Sequence, residues 1–332
     1  MCGIAGIFNL DGEPSSPNIL KKMTDAIAHR GPDGEGHYTD GYIGIGHRRL
    51  SIIDLSPAGH QPMISANKRI VLSYNGEVYN FKGLRAELER LGYQFYSQTD
   101  SEVVLNAWAE WGEDSVHHFN GMFAFSIWDK QKKTLYLVRD RYGIKPLYYA
   151  QWGQTFLFAS EQKAILQHPL AARSIDKKAL LEYFTFQNIF TNRTLLEDVN
   201  ILQPGSIAKI QFKKDKKVCI NQYWDYNFKE PIKPKDSREY HEELDRLIKQ
   251  AVRRQLVTDV ELGSYLSGGM DSGTLTSLAS KELPYIKTFT CGFDLSSASG
   301  LELAFDEREK AEAMSALFKT EHYEMVLKAG DM

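Results

Sequence analysis

Cysteine is scarce in this chain. Only Cys2, Cys219 and Cys291 occur. They are far apart and odd in number, which argues against a disulfide framework and fits a reducing compartment, here expected to be the cytoplasm. Their spacing matches no zinc motif. Excess charge is also lacking: 40 basic against 43 acidic side chains leave a net −3. That balance gives no reason to expect nucleic acid or an anionic membrane as partner. No apolar run approaches the ~20 residues of a membrane span. The opening MCGIAGIFNL is apolar but has neither a basic n-region nor a cleavage pattern, so it does not read as a signal peptide. Internal repeats and low-complexity tracts are absent. What remains is 332 residues of ordinary soluble composition, enough for two domains with cores of their own.

Along the chain, residues 1–10 alternate as a buried strand. Residues 18–29 carry Ile19, Leu20, Met23, Ile27 and Ala28 at helical spacing, and Arg30-Gly31-Pro32-Asp33-Gly34 ends that helix in a turn. From 35 to 81, β-branched and aromatic runs broken by glycine and proline predict antiparallel strands. Helices are expected over 82–91, 101–112 and 161–168, the second N-capped by Thr99, Asp100 or Ser101. Hairpins are expected around Asp129–Lys133 and Gly153, and a strand pair across the turn Lys213–Lys217. Helices set between two groups of antiparallel strands predict sheets covered by helical layers. Residues 226–236 read as a linker. Beyond them the pattern changes: an amphipathic helix over 237–256, a strand, a glycine-rich turn, a helix and a second strand. That is the unit of a parallel α/β sheet, which places ligands at the strand's C-terminal end.

Cys2 is the first candidate for chemistry. Exposed as residue one by removal of Met1, it carries a thiol and its own base, the free α-amine. The alternative is an incidental cysteine at a chain end. Asn75-Gly76 offers a side-chain amide and a backbone N–H side by side, as an oxyanion hole needs. It is equally a strong hairpin signal. Arg49 can hold a carboxylate by a bidentate pair, or simply face solvent. Asp100 can cap a helix or face an ammonium group. In the back half, Ser267-Gly268-Gly269-Met270-Asp271-Ser272 joins a strand to a helix, where glycines and helix amides suit an anion. It lacks the Gly-Lys-Ser/Thr ending of a Walker A loop.

Several stretches occur together in fixed order: Cys2-Gly3-Ile4, Arg30-Gly31-Pro32-Asp33, Arg49-Leu50-Ser51-Ile52, Tyr74-Asn75-Gly76-Glu77-Val78-Tyr79-Asn80 and Asp100-Ser101-Glu102. Gly121-Met122-Phe123-Ala124-Phe125, the run Arg139 to Tyr149, and Phe158-Ala159-Ser160-Glu161-Gln162-Lys163-Ala164 follow. Through them the chain, from residue 2 to about 325, resembles glutamine-dependent asparagine synthetases. The resemblance implies a class II glutamine amidotransferase domain over 2–225, with an α+β N-terminal-nucleophile sandwich of two antiparallel sheets between helical layers. It implies Cys2 as nucleophile and Asn75 with Gly76 as oxyanion hole. Arg49 with Leu50, Ser51, Ile52 and Ile53 would hold the glutamine α-carboxylate, and Glu77 with Asp100 the α-amine.

Residues 237–332 resemble the start of an incomplete α/β ATP-pyrophosphatase domain. The resemblance implies Leu266, Ser267, Gly268, Gly269, Asp271, Ser272 and Cys291 around ATP, with Cys291 as a small hydrophobe and Mg²⁺ held with the nucleotide near Asp271. No prosthetic group is expected. The small-molecule partners would be glutamine, ATP and aspartate, and a homodimer is a family-level expectation. A second phosphate motif and the aspartate-holding groups expected of the family lie beyond residue 332, so we expect a fragment of a longer protein.

Overall fold

The computed structural model describes residues 1–212, 218–229, 236–294 and 306–328. They form two compact units, Met1–Phe228 and Lys229–Met332. The first contains strands β1 (Gly3–Asn9), β2 (Gly34–Asp40), β3 (Ile43–Arg49), β4 (Met63–Ile64), β5 (Ile70–Val78), β6 (Gly121–Asp129), β7 (Thr134–Arg139), β8 (Tyr148–Trp152), β9 (Thr155–Ala159), β10 (Val199–Ile201), β11 (Ser206–Gln211) and β12 (Cys219–Gln222). Its helices are α1 (Pro17–Asp25), α2 (Phe81–Arg90), α3 (Asp100–Trp111), α4 (Ser115–His118), α5 (Gln162–Ile165) and α6 (Lys177–Phe186).

Two six-stranded antiparallel sheets result, in the orders β10-β8-β9-β1-β3-β2 and β12-β11-β7-β6-β5-β4. The period-2 pattern of each strand builds the layers. Ile4 and Phe8 of β1 and Ile43 and Ile45 of β3 meet Val71, Ala124, Trp128, Leu135 and Leu137 of the facing sheet. On the opposite face of the first sheet, Ala5 and Ile7 pack with Leu20 and Met23 of α1 and Ala164 and Ile165 of α5. On the second sheet, Trp108 of α3 meets Phe125 and Tyr136 edge-on at 5.9 and 5.2 Å. The fold is thus the helix–sheet–sheet–helix sandwich expected of an N-terminal nucleophile protein.

Several local expectations need correction. The helix predicted over 18–29 ends at Asp25, and a 3₁₀ turn, Ala28–Arg30, carries the chain on. The short helix predicted over 161–168 is a single turn, Gln162–Ile165. Helix α6 was not foreseen. It starts at the cap Asp176, whose carboxylate accepts from Lys178 and Ala179 amides. The hairpin alternative for Asn75-Gly76 does not hold, because both lie within β5, opposite Ala124 and Phe123. The turn predicted at Lys213–Lys217 lies outside the described residues, as does most of the linker expected over 226–236.

The second unit comprises α7 (Ser237–Gln255), β13 (Gly263–Tyr265), α8 (Met270–Glu282), β14 (Lys287–Phe293), α9 (Arg308–Phe318) and β15 (Glu321–Leu327). Its three strands form a parallel sheet in the order β13-β14-β15. Helices α7 and α8 share an apolar seam through Val252, Ala279 and Ile286. Among the described residues no helix is long and apolar enough to cross a membrane.

Candidate active site

Cys2 stands one residue ahead of β1, which is paired on both sides, with β3 and β9. Its backbone is tied down as well. The Arg30 guanidinium donates from Nε to the Cys2 carbonyl at 2.9 Å and from Nη1 to Glu161 at 2.9 Å. Ser160 closes the next residue, its Oγ accepting from Ile4 N at 3.0 Å and its amide donating to Ile4 O at 2.9 Å. The Cys2 sulfur accepts the Leu50 amide at 3.3 Å and its thiol points back to the Leu50 carbonyl at 3.6 Å. Burial pushes the thiol pKa up; the Leu50 amide and the N-terminal ammonium pull the other way.

Cys2 opens on a cavity of about 250 Å³. Asn75 and Gly76 reach it from β5 of the other sheet. Asn75 is 1% exposed, and its Nδ2 has no hydrogen-bond partner among the described residues. A buried amide donor without a partner is costly, and a ligand oxygen would relieve that cost. Gly76 is dictated by close approach: a Cβ there would lie 2.5 Å from the Met122 carbonyl and 2.7 Å from Phe123 Cα.

Of the other residues expected around the cavity, Arg49, Leu50, Ile52, Ile53, Glu77 and Asp100 line it. Ser51 does not; its amide donates instead to Asp33 Oδ2 at 2.8 Å. The Arg49 guanidinium donates to the Ser56 carbonyl at 2.9 Å and to the Asp54 carbonyl. Three of its five N–H groups are left for a carboxylate. Asp100 is not the cap of α3. Thr99 is, its hydroxyl accepting from Glu102 N at 3.2 Å. The Asp100 carboxylate, 6% exposed, instead accepts from the Tyr74 hydroxyl at 2.6 Å and from Val78 N at 2.9 Å, both at Oδ2. Burial drives its pKa up against those bonds. Glu77 is pushed to about 7, first by burial and then by Asp100, with Lys145 opposing.

Sequence reasoning missed Gly59, Gln61, Tyr74, Thr99, Ser101 and Lys145, which also line the cavity together with Met1. Lys145 had a signal, since it belongs to the Arg139–Tyr149 stretch. The structure explains that stretch as a loop scaffold. Arg139 gathers the carbonyls of Gly143, Lys145 and Leu202. Asp140 gathers the amides of Phe123, Tyr142, Ile144 and Lys145 at 3.0–3.2 Å. Lys145 is thereby held at the cavity wall, where burial lowers its pKa. The cavity thus presents two carboxylates and two cations, a thiol and an unpaired amide. That set suits a small zwitterion with an amide at its far end.

In the second unit, Ser267, Gly268 and Gly269 follow β13, and Met270, Asp271 and Ser272 form the first turn of α8 rather than the turn before it. Gly268 has φ +68°, and a Cβ there would meet Lys310 Cβ at 2.6 Å. Ser267 and Ser272 hydroxyls pair at 3.0 Å. Gly269 caps α8 without a side chain, which leaves the first-turn amides to an anion. Leu266 is 1% exposed, its amide donating to Phe289 O at 3.0 Å. Cys291 is not the packed small hydrophobe expected; it is exposed, on the same strand face as Phe289. Among the described residues no group of three or more His, Cys, Asp or Glu is placed to hold a metal ion.

Two solved structures share this fold. Glutamine phosphoribosylpyrophosphate amidotransferase from B. subtilis, complexed with ADP and GMP, matches with a TM-score of 0.50 and 18% identity, over 84% of this chain and 64% of that one. A structure of the allosteric regulatory enzyme of purine biosynthesis matches with a TM-score of 0.51 and 16% identity, over 98% and 80%. At such identity they speak for the fold alone. Residues 1–224 match the glutamine amidotransferase domain family, and the chain belongs to it. Residues 243–332 match the asparagine synthase family. Asparagine synthetase (glutamine-hydrolyzing) 1 of Bacillus subtilis strain 168 is 37% identical over 309 residues, 92% of this chain and 48% of that protein. A putative asparagine synthetase (glutamine-hydrolyzing) 2 of Methanocaldococcus jannaschii is 34% identical over 354 residues, 100% of this chain and 66% of that protein. Amidase chry2 of Gibberella zeae is 33% identical over 300 residues, covering 84% and 43%. The chain spans about half the length of the first of these relatives.

Proposed function

We propose that the chain is the glutaminase part, and the beginning of the synthetase part, of a glutamine-hydrolysing asparagine synthetase, a carbon–nitrogen ligase. With Met1 removed, the α-amine of Cys2 takes the thiol proton and the sulfur attacks the γ-amide carbon of glutamine. The carbonyl oxygen becomes an oxyanion between Asn75 Nδ2 and the Gly76 amide. The intermediate collapses to a γ-glutamyl thioester, the proton leaves with ammonia, and water then releases glutamate and the free thiol. Arg49, with the main chain of Leu50 to Ile53, holds the α-carboxylate; Glu77 and Asp100 face the α-ammonium.

The observation that carries this reading is the buried Asn75 amide, without a partner at the wall of the cavity that Cys2 opens on. In the whole enzyme, ATP would adenylate the β-carboxylate of aspartate and ammonia would displace AMP from β-aspartyl-AMP. The uncapped start of α8 and Gly268 fit the phosphates, and Asp271 would meet Mg²⁺ through them. The three free cysteines suit a reducing cytoplasm, and a homodimer is the assembly we expect. A second reading, amidation of another carboxylate, is favoured by the relative named as an amidase.

Trimmed protein is expected to release glutamate from glutamine and to be labelled at Cys2 by a glutamine-analogue electrophile. Ordinary turnover in Cys2→Ala would overturn the reading. The 332-residue chain is expected to form no asparagine from aspartate, ATP and glutamine. Aspartate-dependent AMP release from it would contradict the synthetase part.

A further inference from the structure

Asp100 is a buried carboxylate at a cavity wall, and no cationic side chain pairs with it among the described residues. Both side-chain hydrogen bonds of its Oδ2 come from β5: the Tyr74 hydroxyl at 2.6 Å and the Val78 amide at 2.9 Å. Oδ1 takes neither. Tyr74 is itself 2% exposed and rigidly seated. Its amide donates to Gln61 Oε1 at 2.7 Å, and Gln61 Nε2 donates to Ser101 Oγ at 3.2 Å. One closed circuit, Tyr74–Asp100–Ser101–Gln61, therefore links the strand that carries Asn75 to the start of the helix that carries Asp100. Neighbouring β5 residues thus serve two jobs: Asn75 faces the amide end of the cavity, while Tyr74 steadies the carboxylate.

We infer that Tyr74 is a positioning and specificity-determining residue, which holds Asp100 ionised and with Oδ1 free so that the site selects γ-amides bearing an α-ammonium group. The inference rests on the glutaminase reading and goes beyond it. A phenol donating to a carboxylate stabilises its charged form. A carboxylate with one oxygen committed has one direction left in which to accept a ligand's N–H. The groups facing Asp100 are Tyr74 and Glu77 from β5, Cys2 ahead of β1, and the amides of Asp100 and Ser101 that begin α3. None of them is a cation, so the ammonium must come from the ligand.

The test compares glutamine with glutaramate, the same amide without the α-amine, in the trimmed full chain. In Tyr74→Phe we expect KM for glutamine to rise about tenfold, in line with loss of one charge-assisted bond, with kcat changed less than about threefold. The preference for glutamine over glutaramate should fall by about the same factor. The acid limb of kcat/KM should move to higher pH, because Asp100 loses a donor that favours its anion. In Asp100→Asn the preference should already be lost, and adding Tyr74→Phe should change it less than about twofold. That double variant also removes the buried charge, and so reports even where Tyr74→Phe alone folds poorly. If Asp100→Asn keeps full preference, the ammonium reading fails and the inference with it. If Asp100→Asn loses preference while Tyr74→Phe keeps it with an unmoved acid limb, only the role of Tyr74 is overturned.

Discussion

The Arg30 side chain holds the main-chain carbonyl of Cys2 at 2.9 Å and, with its other arm, the Glu161 carboxylate at 2.9 Å. The residue that positions the nucleophile is thus itself positioned by the far end of the sheet. Glu161 also accepts from His29 at 3.0 Å and pairs with Lys163 at 3.0 Å.

These cations hold the Glu161 pKa down to about 2, from 4.5. A carboxyl depressed on folding stabilises above its unfolded pKa, and that stability is lost as pH falls through the folded one. Glu161→Gln is therefore expected to melt below wild type at pH 7. The gap should close between about pH 4.5 and about pH 2. Thermal unfolding across that range checks it, and a gap that stays constant with pH would contradict the assignment.

Gly76→Ala places a methyl against the β6 backbone, which cannot give way as a side-chain tip can. We expect a loss of about 1–3 kcal/mol in urea unfolding. Glutamine turnover should fall by more than the folded fraction does, since the adjacent Asn75 and the Gly76 amide move together.

Asp140 is 1% exposed and accepts four main-chain amides of the loop that carries Lys145. Asp140→Ala leaves those donors buried and unpaired, so it should cost at least about 3 kcal/mol. Hydrogen exchange of the Tyr142, Ile144 and Lys145 amides should accelerate before global unfolding does.

Glu77 behaves in the opposite sense to Glu161. Its carboxyl is raised to about 7, so the folded state prefers it protonated. Stability then declines as pH climbs from about 4.5 through about 7. Glu77→Gln is expected to be more thermostable than wild type at pH 8 and equal to it near pH 5, and weaker in binding glutamine at both. Equal melting points at pH 8 would contradict this.

Much of the site was legible because it is carried by short, ordered stretches. Cys2, Asn75-Gly76, Arg49 and Asp100 each stand in one, and all reach the same cavity. What sequence spacing could not show was how the stretches pair. Tyr74 and Asp100 meet only because α3 lies on β5, and Ser51 turns away only because Asp33 takes its amide. Helix α6 escaped because it has no apolar stripe: Leu181, Phe184 and Phe186 are 69%, 75% and 61% exposed, and Ala179 alone is buried. Cys291 was misjudged because its strand alternates, and alternation alone does not say which face is covered.

The strand behind Cys2 waits for a partner made much later in the chain. Ala5 pairs with Ala159, and Ile4 with Ser160. During synthesis the first unit lacks that side of β1, and the wall bearing Lys145, until both segments have left the ribosome. Before then Met1 stands on open chain, where a trimming enzyme can reach it. Afterwards it lines the cavity, its sulfur 3.9 Å from the Arg30 guanidinium. The maturation of the nucleophile is therefore a race between processing and closure, and a variant that folds faster than it is trimmed would accumulate as a well-formed but silent protein.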